Sequence, residues 1–307
     1  MLKSRFTMVL LLLAFILGAC GNNGATQANN APASGGGDTI TYQSENGPVE
    51  VPADPKRVIV FNPYAGHVMA LGVGLAGVDQ WAHQNPGFQS KLAGVEEVSD
   101  ENLEKIIELE PDLIIGLSVM KNIDKMKEIA PTVTFTHGKL DYLTQFLEIG
   151  KLLNKEQEAA AWISDFQQRA VETGEAIKEK IGPDATVTIV ENFGKDLYVY
   201  GDSYGRGGEI LYREMKLNMP DKVKENALTP GYYALSLEVL PEFVGDYLIV
   251  SKNEDNEASF FESDTYRNIP AVKNNHAFTV NSKEYFLNDP ITLNFQLEFI
   301  KQSFLGE

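Results

Sequence analysis

The sequence predicts an α/β protein in which two Rossmann-like lobes are joined by one long rigid helix. Three observations carry that expectation. Short apolar runs alternate with stretches of helical spacing across residues 57–118, and the alternation resumes after residue 185. Repeated β-α-β order of this kind builds mostly parallel sheets with right-handed crossovers. One uninterrupted amphipathic stretch lies between the two halves. The halves also echo each other: NLEKIIELEPDLIIGLS (102–118) and SLEVLPEFVGDYLIVSK (236–252) share the order Leu-Glu, apolar helix, Asp, strand. Glu104 precedes Asp112 by eight residues, and Glu238 precedes Asp246 by eight. Internal similarity that coincides with the predicted halves argues for two related lobes. Each lobe then carries a glutamate in the first turn of a helix, which the helix dipole favours by itself.

Taken in order, residues 1–19 read as a signal peptide. Lys3 and Arg5 precede the apolar run MVLLLLAFILGAC, too short for a lasting membrane span. The run ends in Leu17-Gly18-Ala19-Cys20, the pattern of a bacterial lipobox. Cys20 is the one cysteine of the chain, so no intramolecular disulfide forms, and it is expected to become a lipidated N-terminus. A single acyl chain binds a membrane weakly; stable anchorage takes two or three. Residues 20–38 are Cys20 followed by GNNGATQANNAPASGGGD, small and polar throughout, which makes a flexible tether.

The N-terminal lobe is expected over 39–153, with RVIVF, GVD and DLIIGLS as buried strands and AGHVMALGV and ENLEKIIELE as helices. The linking helix is expected over 154–182. Ala159, Ile163, Phe166, Ala170, Gly174, Ile177 and Ile181 recur in steps of three and four, Asn154 with Gln157 resembles a capping box, and Gly182-Pro183 stops the far end. Such a helix spans about 40 Å and suits a strut that limits lobe motion. The C-terminal lobe, 183–307, continues the alternation with TVTIVEN, LYVYG, EILYREM, SLEVLPEFV and DYLIVS.

Charge narrows the partners. The net charge of −17, with no basic cluster, argues against nucleic acid.

The stretch LYVYGDSYGRGGEILY (197–212) concentrates the candidate chemistry. It is not a phosphate loop: Ile210 stands where a third glycine or alanine belongs, and no Gly-Lys-Ser/Thr follows. Gly201-Asp202-Ser203-Tyr204-Gly205 is a literal G-x-S-x-G, so a serine hydrolase using Ser203 with Asp246 or Asp264 and His276 stays open. Against it, no HGGG-like segment precedes Ser203. Tyr198 and Tyr200 share one sheet face, and the glycines leave room beside Arg206, whose planar fork suits oxygen-rich surfaces. Arg206 could equally pair with Asp202 or Glu209 at the surface, a contact worth little. His67, His83, His137 and His276 are dispersed, without H-E-x-x-H, though they could meet at a cleft around bare zinc or manganese.

The lipobox and tether, PKRVIVFNPYAG, NLEKIIELEPDLII, APTV, the long helix, YGDSYGRGGEILY and YFLNDPITL together resemble the iron–siderophore-binding lipoproteins of bacterial ABC importers. The similarity is greatest to the hydroxamate branch, which takes ferrichrome- and ferrioxamine-type ligands. The resemblance implies a class III substrate-binding protein with no enzymatic activity, no cofactor and no metal ligand of its own. Its ligand would be a ferric hydroxamate siderophore, with a citrate or other carboxylate chelate as the alternative. Its partners would be a permease of the iron–siderophore family and that permease's ATPase, with the chain a monomer held on the extracytoplasmic face of the membrane through Cys20. Arg206 then matches the arginine that bonds chelate oxygens, and Tyr198 a pocket tyrosine. Tyr204 and Phe286 stand where relatives have tryptophan, His137 where they can have tyrosine. Tyr64 matches a loop tyrosine facing the cleft; Tyr285, beside Phe286, and Trp81, placed after a strand, are further candidates. Glu104 and Glu238 match paired acids that dock the two lobes onto permease arginines. Hydroxamate chelates are near neutral, so one arginine against much aromatic surface suits them, and this reading of the cleft finds a single basic residue.

Overall fold

The computed structural model describes residues 38–193, 196–253 and 259–306, with the side chain of residue 259 left aside. Cys20 and the tether lie outside the described residues.

The first lobe opens with an antiparallel hairpin, β1 (Thr39–Ser44) and β2 (Gly47–Pro52), whose Tyr42 and Val51 enter the lobe's core. A five-stranded parallel sheet follows in the order β5-β4-β3-β6-β7. Its strands are β3 (Val58–Val60), β4 (Leu75–Val78), β5 (Glu96–Glu97), β6 (Leu113–Leu117) and β7 (Thr132–Phe135). Helices α1 (Ala65–Ala70), α2 (Gln80–His83), α3 (Leu103–Glu108) and α4 (Ile123–Ile129) connect them, and α5 (Tyr142–Leu152) leads out of the sheet. β3, β6 and β7 are almost wholly buried, as strands covered by helices on both faces must be.

The connecting helix, α6, runs Glu156–Ile181 over 26 residues, about 40 Å at 1.5 Å per residue. One face passes from core to core. Ala159 joins the first lobe's core, Phe166, Ala170 and Ile177 join the second's, and Trp162 touches both. Trp162 stacks on Phe166 at 4.9 Å and meets Phe146 of α5 edge-on at 5.3 Å. The expected capping box is corrected: Lys155 occupies the cap without a side-chain bond. Asn154 is left-handed, and its amide donates to the Ala53 carbonyl instead.

The second sheet has the order β10-β9-β8-β11-β12. β8 (Val187–Phe193), β11 (Tyr247–Lys252) and β12 (Ala277–Asn281) are parallel; β9 (Asp196–Tyr200) runs antiparallel to both its neighbours, β8 and β10 (Tyr232–Leu235). The mostly parallel expectation gives way here for a simple reason. Phe193 pairs with Asp196, and two intervening residues cannot make a crossover, so the chain turns straight back. EILYREM, expected within the strand–helix alternation, is a π-helical turn, Glu209–Glu214. The remaining helices are α7 (Asp221–Ala227), the short α8 (Ser259–Glu262), α9 (Asp264–Arg267), α10 (Pro270–Lys273) and α11 (Ser282–Tyr285), and finally α12 (Pro290–Leu305).

The internal echo has a structural meaning. Asp112, just before β6, accepts from the backbone N–H groups of Lys56 and Arg57 at 2.6 and 3.1 Å, at the entry to β3. Asp246, just before β11, accepts from the Thr186 N–H at 2.9 Å, at the entry to β8. In each lobe the aspartate ties the start of one parallel strand to the start of its neighbour.

Asn288-Asp289-Pro290 fixes the lobes together. Pro290 starts α12 where a missing N–H costs nothing, and buried Asp289 caps it, accepting from Ile291 N at 2.9 Å and Thr292 N at 3.2 Å. That cap packs on α1 of the other lobe, with Leu287 and Ile291 against the first lobe's core. A Cβ on Gly66 would lie 1.9 Å from Asp289 Oδ1. Alanine would ordinarily gain about 1 kcal/mol in a helix interior. Here it collides with a carboxylate that cannot leave without losing the cap, and overpacking of about 1–3 kcal/mol plus a cap worth about 1 kcal/mol outweigh that gain. Gly66→Ala is therefore expected to lower stability by about 1–3 kcal/mol in chemical denaturation; an unchanged midpoint would contradict the wedge.

Candidate ligand-binding cleft

A cleft of about 930 Å³ lies between the lobes. Its walls come from the segments that follow parallel strands: Tyr64 after β3, Trp81 after β4, His137 after β7, Asn253 after β11 and Lys283 after β12. Open α/β sheets bind ligands at the carboxyl ends of their strands, where loops diverge. Both sheets present that edge to the same cavity.

The glycine-rich loop supplies the second wall. Tyr204, Gly205, Arg206 and Gly207 are consecutively left-handed, with φ of 79°, 75°, 55° and 82°. Two of these are not glycine, and such runs persist only where the surroundings enforce them. The enforcement is visible. Arg206 N donates to the Phe286 carbonyl at 3.2 Å, and Gly205 N donates to Glu209 Oε1 at 2.9 Å. A Cβ on Gly205 would meet that same Phe286 carbonyl oxygen at 2.1 Å, and one on Gly207 would meet the Tyr285 hydroxyl at 2.5 Å. The loop packs on backbone at Gly205 and on the Tyr285 ring at Gly207, closer than a Cβ permits.

The fold turns Arg206 onto two aromatic faces, Tyr200 at 5.1 Å and Phe286 at 5.6 Å from the guanidinium carbon. Its Nε donates to Glu191 Oε2 at 3.2 Å and its Nη1 to the Tyr204 carbonyl at 3.1 Å. Ser251 Oγ donates to the same Glu191 oxygen at 3.1 Å. Burial works against the arginine's charge, but the Glu191 carboxylate beside it prevails and raises its pKa. The alternative ion pair with Asp202 or Glu209 does not form. Glu191, buried on β8, holds Arg206, while Asp202 pairs with Arg213 at 3.2 Å. Arg213 and Lys283 also line the cleft, so the expectation of a single basic residue is corrected as well.

Aromatic contacts cross between the lobes. Trp81, 57% exposed, stands 6.4 Å from Phe286, and His137 stands 6.0 Å from Tyr204. Tyr204 in turn meets Tyr232 at 5.1 Å, and Tyr232 meets Tyr198 at 5.9 Å. Tyr64, Trp81, His137, Tyr204, Arg206 and Phe286 thus line one cavity. Two expected members do not. Tyr198 stands one ring back, behind Tyr232 on the sheet edge. Tyr285 has no exposed surface and serves as the pad beneath Gly207, with burial pushing its phenol up.

Several further residues shape the cleft. His67 is buried beside Tyr64 and Phe146, and burial pushes its imidazole down to about 3, so it stays neutral. Asn85 Nδ2 and Gln145 Nε2 are buried donors without partners. Glu209 is buried too, with Oε1 accepting from Gly205 N and from Asn288 Nδ2 at 3.0 Å. Burial raises its pKa despite those bonds. Of these residues the sequence marked Glu209, within YGDSYGRGGEILY, while His67, Asn85 and Gln145 carry no motif.

The hydrolase arrangement does not assemble. Ser203 lines the cleft, whereas Asp246 and His276 line a separate cavity at the opposite end of β11, about 20 Å away for a six-residue strand. His276 there stacks on Tyr247 at 4.3 Å. Among the described residues no group of three or more His, Cys, Asp or Glu side chains converges to hold a metal ion. Glu104 and Glu238 are both exposed. Glu104 lies in the first turn of α3, but Glu238 is corrected: it sits in a turn ahead of a 3-10 helix, Leu240–Glu242, where the Ser236 hydroxyl holds its carboxyl low.

Comparison with known proteins agrees with this architecture. Residues 58–284 match the family model described as periplasmic binding protein. The iron(3+)-hydroxamate-binding protein FhuD of Bacillus subtilis is 38% identical over 300 residues, covering 95% of each chain. A B. subtilis periplasmic binding protein component of a Fep/Fec-like ferrichrome ABC transporter superposes with a TM-score of 0.80 at 37% identity, covering 86% of this chain and 99% of that one. FhuD2 of Staphylococcus aureus with bound ferrioxamine B gives 0.77 at 34%, covering 82% and 99%. With its two α/β lobes, its bridging helix and a cleft built for binding rather than for turnover, the chain belongs to the periplasmic-binding-protein family.

Proposed function

We propose that this protein captures a ferric hydroxamate chelate outside the cytoplasmic membrane and delivers it to an ABC importer. The observation that carries this is the cleft itself, where one guanidinium lies among aromatic rings contributed by both lobes. Ferric iron is hard and prefers oxygen, and a trihydroxamate already supplies six oxygen ligands. A protein that holds such a complex needs no ligand to the metal. It needs flat apolar walls for the chelate's exterior and a few donors aimed at its oxygens. Trp81, Phe286, Tyr204 and Tyr64 supply the first, and Arg206 the second. The arginine's charge is offset by Glu191, which suits a near-neutral chelate better than a polyanionic citrate or catecholate complex.

Tethering through acylated Cys20 would keep the protein at the membrane face. Exposed Glu104 and Glu238, one on each lobe, would meet arginines of the permease, whose ATPase drives import.

Arg206→Ala is expected to weaken ferric hydroxamate binding by about 1.5–3 kcal/mol, the range for hydrogen bonds to charged groups, read as quenching of intrinsic fluorescence by the coloured ligand. The same change leaves Glu191 buried without its cation, costing about 1–3 kcal/mol of stability. Adding Glu191→Gln should recover stability but not affinity; full affinity in the double variant would remove Arg206 from the site. Replacing Glu104 and Glu238 together by alanine should leave chelate affinity intact and impair iron uptake by cells, and normal uptake would exclude the docking role.

A further inference from the structure

The turn that carries His137 is gripped from outside its own sheet. β7 is an edge strand paired to β6, and that pairing ends at Phe135. Residues 136–139 then make a tight turn, closed by the Lys139 N–H donating to the Thr136 carbonyl at 3.2 Å, with Gly138 left-handed at φ 73°. Its two central residues, His137 and Gly138, line the cleft. All four residues are exposed, and an exposed turn at the end of an edge strand is ordinarily mobile.

The β1–β2 hairpin supplies the restraint. Glu45, in its two-residue connection, accepts from the Thr136 N–H on Oε1 at 3.3 Å and from the Thr136 hydroxyl on Oε2 at 2.8 Å. Lys139 Nζ stands 3.2 Å from the same Oε2. One carboxylate therefore holds the first and the last residue of the turn. Its side chain is 16% exposed although it lies at a hairpin tip. Burial works against its charge, but the Thr136 donors and the Lys139 ammonium outweigh it and hold the carboxyl below its ordinary range. The hairpin is seated by other residues, since Tyr42 and Val51 enter the first lobe's core, so the fold does not depend on Glu45.

We propose that Glu45 is a positioning residue for ligand binding: by clamping both ends of the 136–139 turn, it holds His137 in the cleft, 6.0 Å from the Tyr204 ring, ready to meet the bound chelate. The inference rests on the reading of the cleft as a ferric hydroxamate site. A wall residue already ordered in the empty cleft spares the ligand the entropy of ordering it. The first folded element of the chain, remote in sequence from the other walls, is then part of the binding apparatus.

The test is a double-mutant cycle read by fluorescence titration with ferrioxamine B. Glu45→Ala is expected to weaken binding roughly fivefold, within the range for residues coupled in one network. In the His137→Ala background the same change should cost nothing further. Glu45→Gln can still bond both Thr136 groups and gives up only an exposed ion pair, so its affinity should stay within about twofold of the wild type. Unchanged affinity in Glu45→Ala overturns the role, and so does a loss of equal size with and without His137. A Glu45→Gln protein as weak as the alanine variant also overturns it, since the clamp consists of the bonds to Thr136. Those three outcomes leave the ferric hydroxamate reading intact; failure of the wild-type protein to bind any ferric hydroxamate removes that reading and the role of Glu45 with it.

Discussion

Seating a guanidinium at the foot of the cleft constrains much of the second lobe. Arg206 needs a counter-charge, which Glu191 supplies from the central strand of the sheet, and Ser251 from the next strand helps to hold that carboxylate. It also needs a backbone that delivers it there, which requires four left-handed residues in succession. The conformation is held by Phe286 and Glu209, and the close approach demands glycine at 205 and 207. The tyrosines of the loop region follow from the same arrangement: Tyr200 is a ring under the cation, Tyr204 a wall of the cleft, and Tyr212 a buried brace whose hydroxyl donates to the Val187 carbonyl.

Much of this was legible in the sequence because it is written in short-range patterns. The three-and-four spacing gave α6, the apolar runs gave most of the strands, and the charge–glycine–aromatic cluster marked Arg206. What remained hidden depends on contacts between distant segments. Nothing near Arg206 announces that its partner is Glu191, fifteen residues earlier on a neighbouring strand. The π-helical turn at Glu209–Glu214 shares its apolar periodicity with an ordinary helix or strand, so local spacing could not reveal it. Tyr285 and Phe286 are adjacent and chemically alike, yet one is a buried pad and the other a cleft wall, because helix α11 ends between them. The reversal of β9 in the second sheet came from a connection too short to cross over, a matter of loop length rather than composition.

The lobes are joined by more than the long helix. Tyr142 of α5 donates to Glu214 of the π-helical turn at 2.6 Å, and Gln167 of α6 donates to the same carboxylate at 3.2 Å. One acidic side chain therefore gathers the first lobe, the strut and the wall of the cleft. That turn begins three residues after Arg206, so the element that carries the binding loop is also the one that ties the lobes.

The wedge of α12 against α1 bears on how cargo would leave. Gly66 and Asp289 touch with no room for a methyl group, so the jaws of this clamp are keyed like a dovetail joint. Thermal gaping wide enough to spill a bulky chelate would have to break that key and its buried cap. Retention is then the resting condition, and in the proposed role unloading becomes mechanical work done from outside, by a nucleotide-driven machine that grips both jaws and prises them apart.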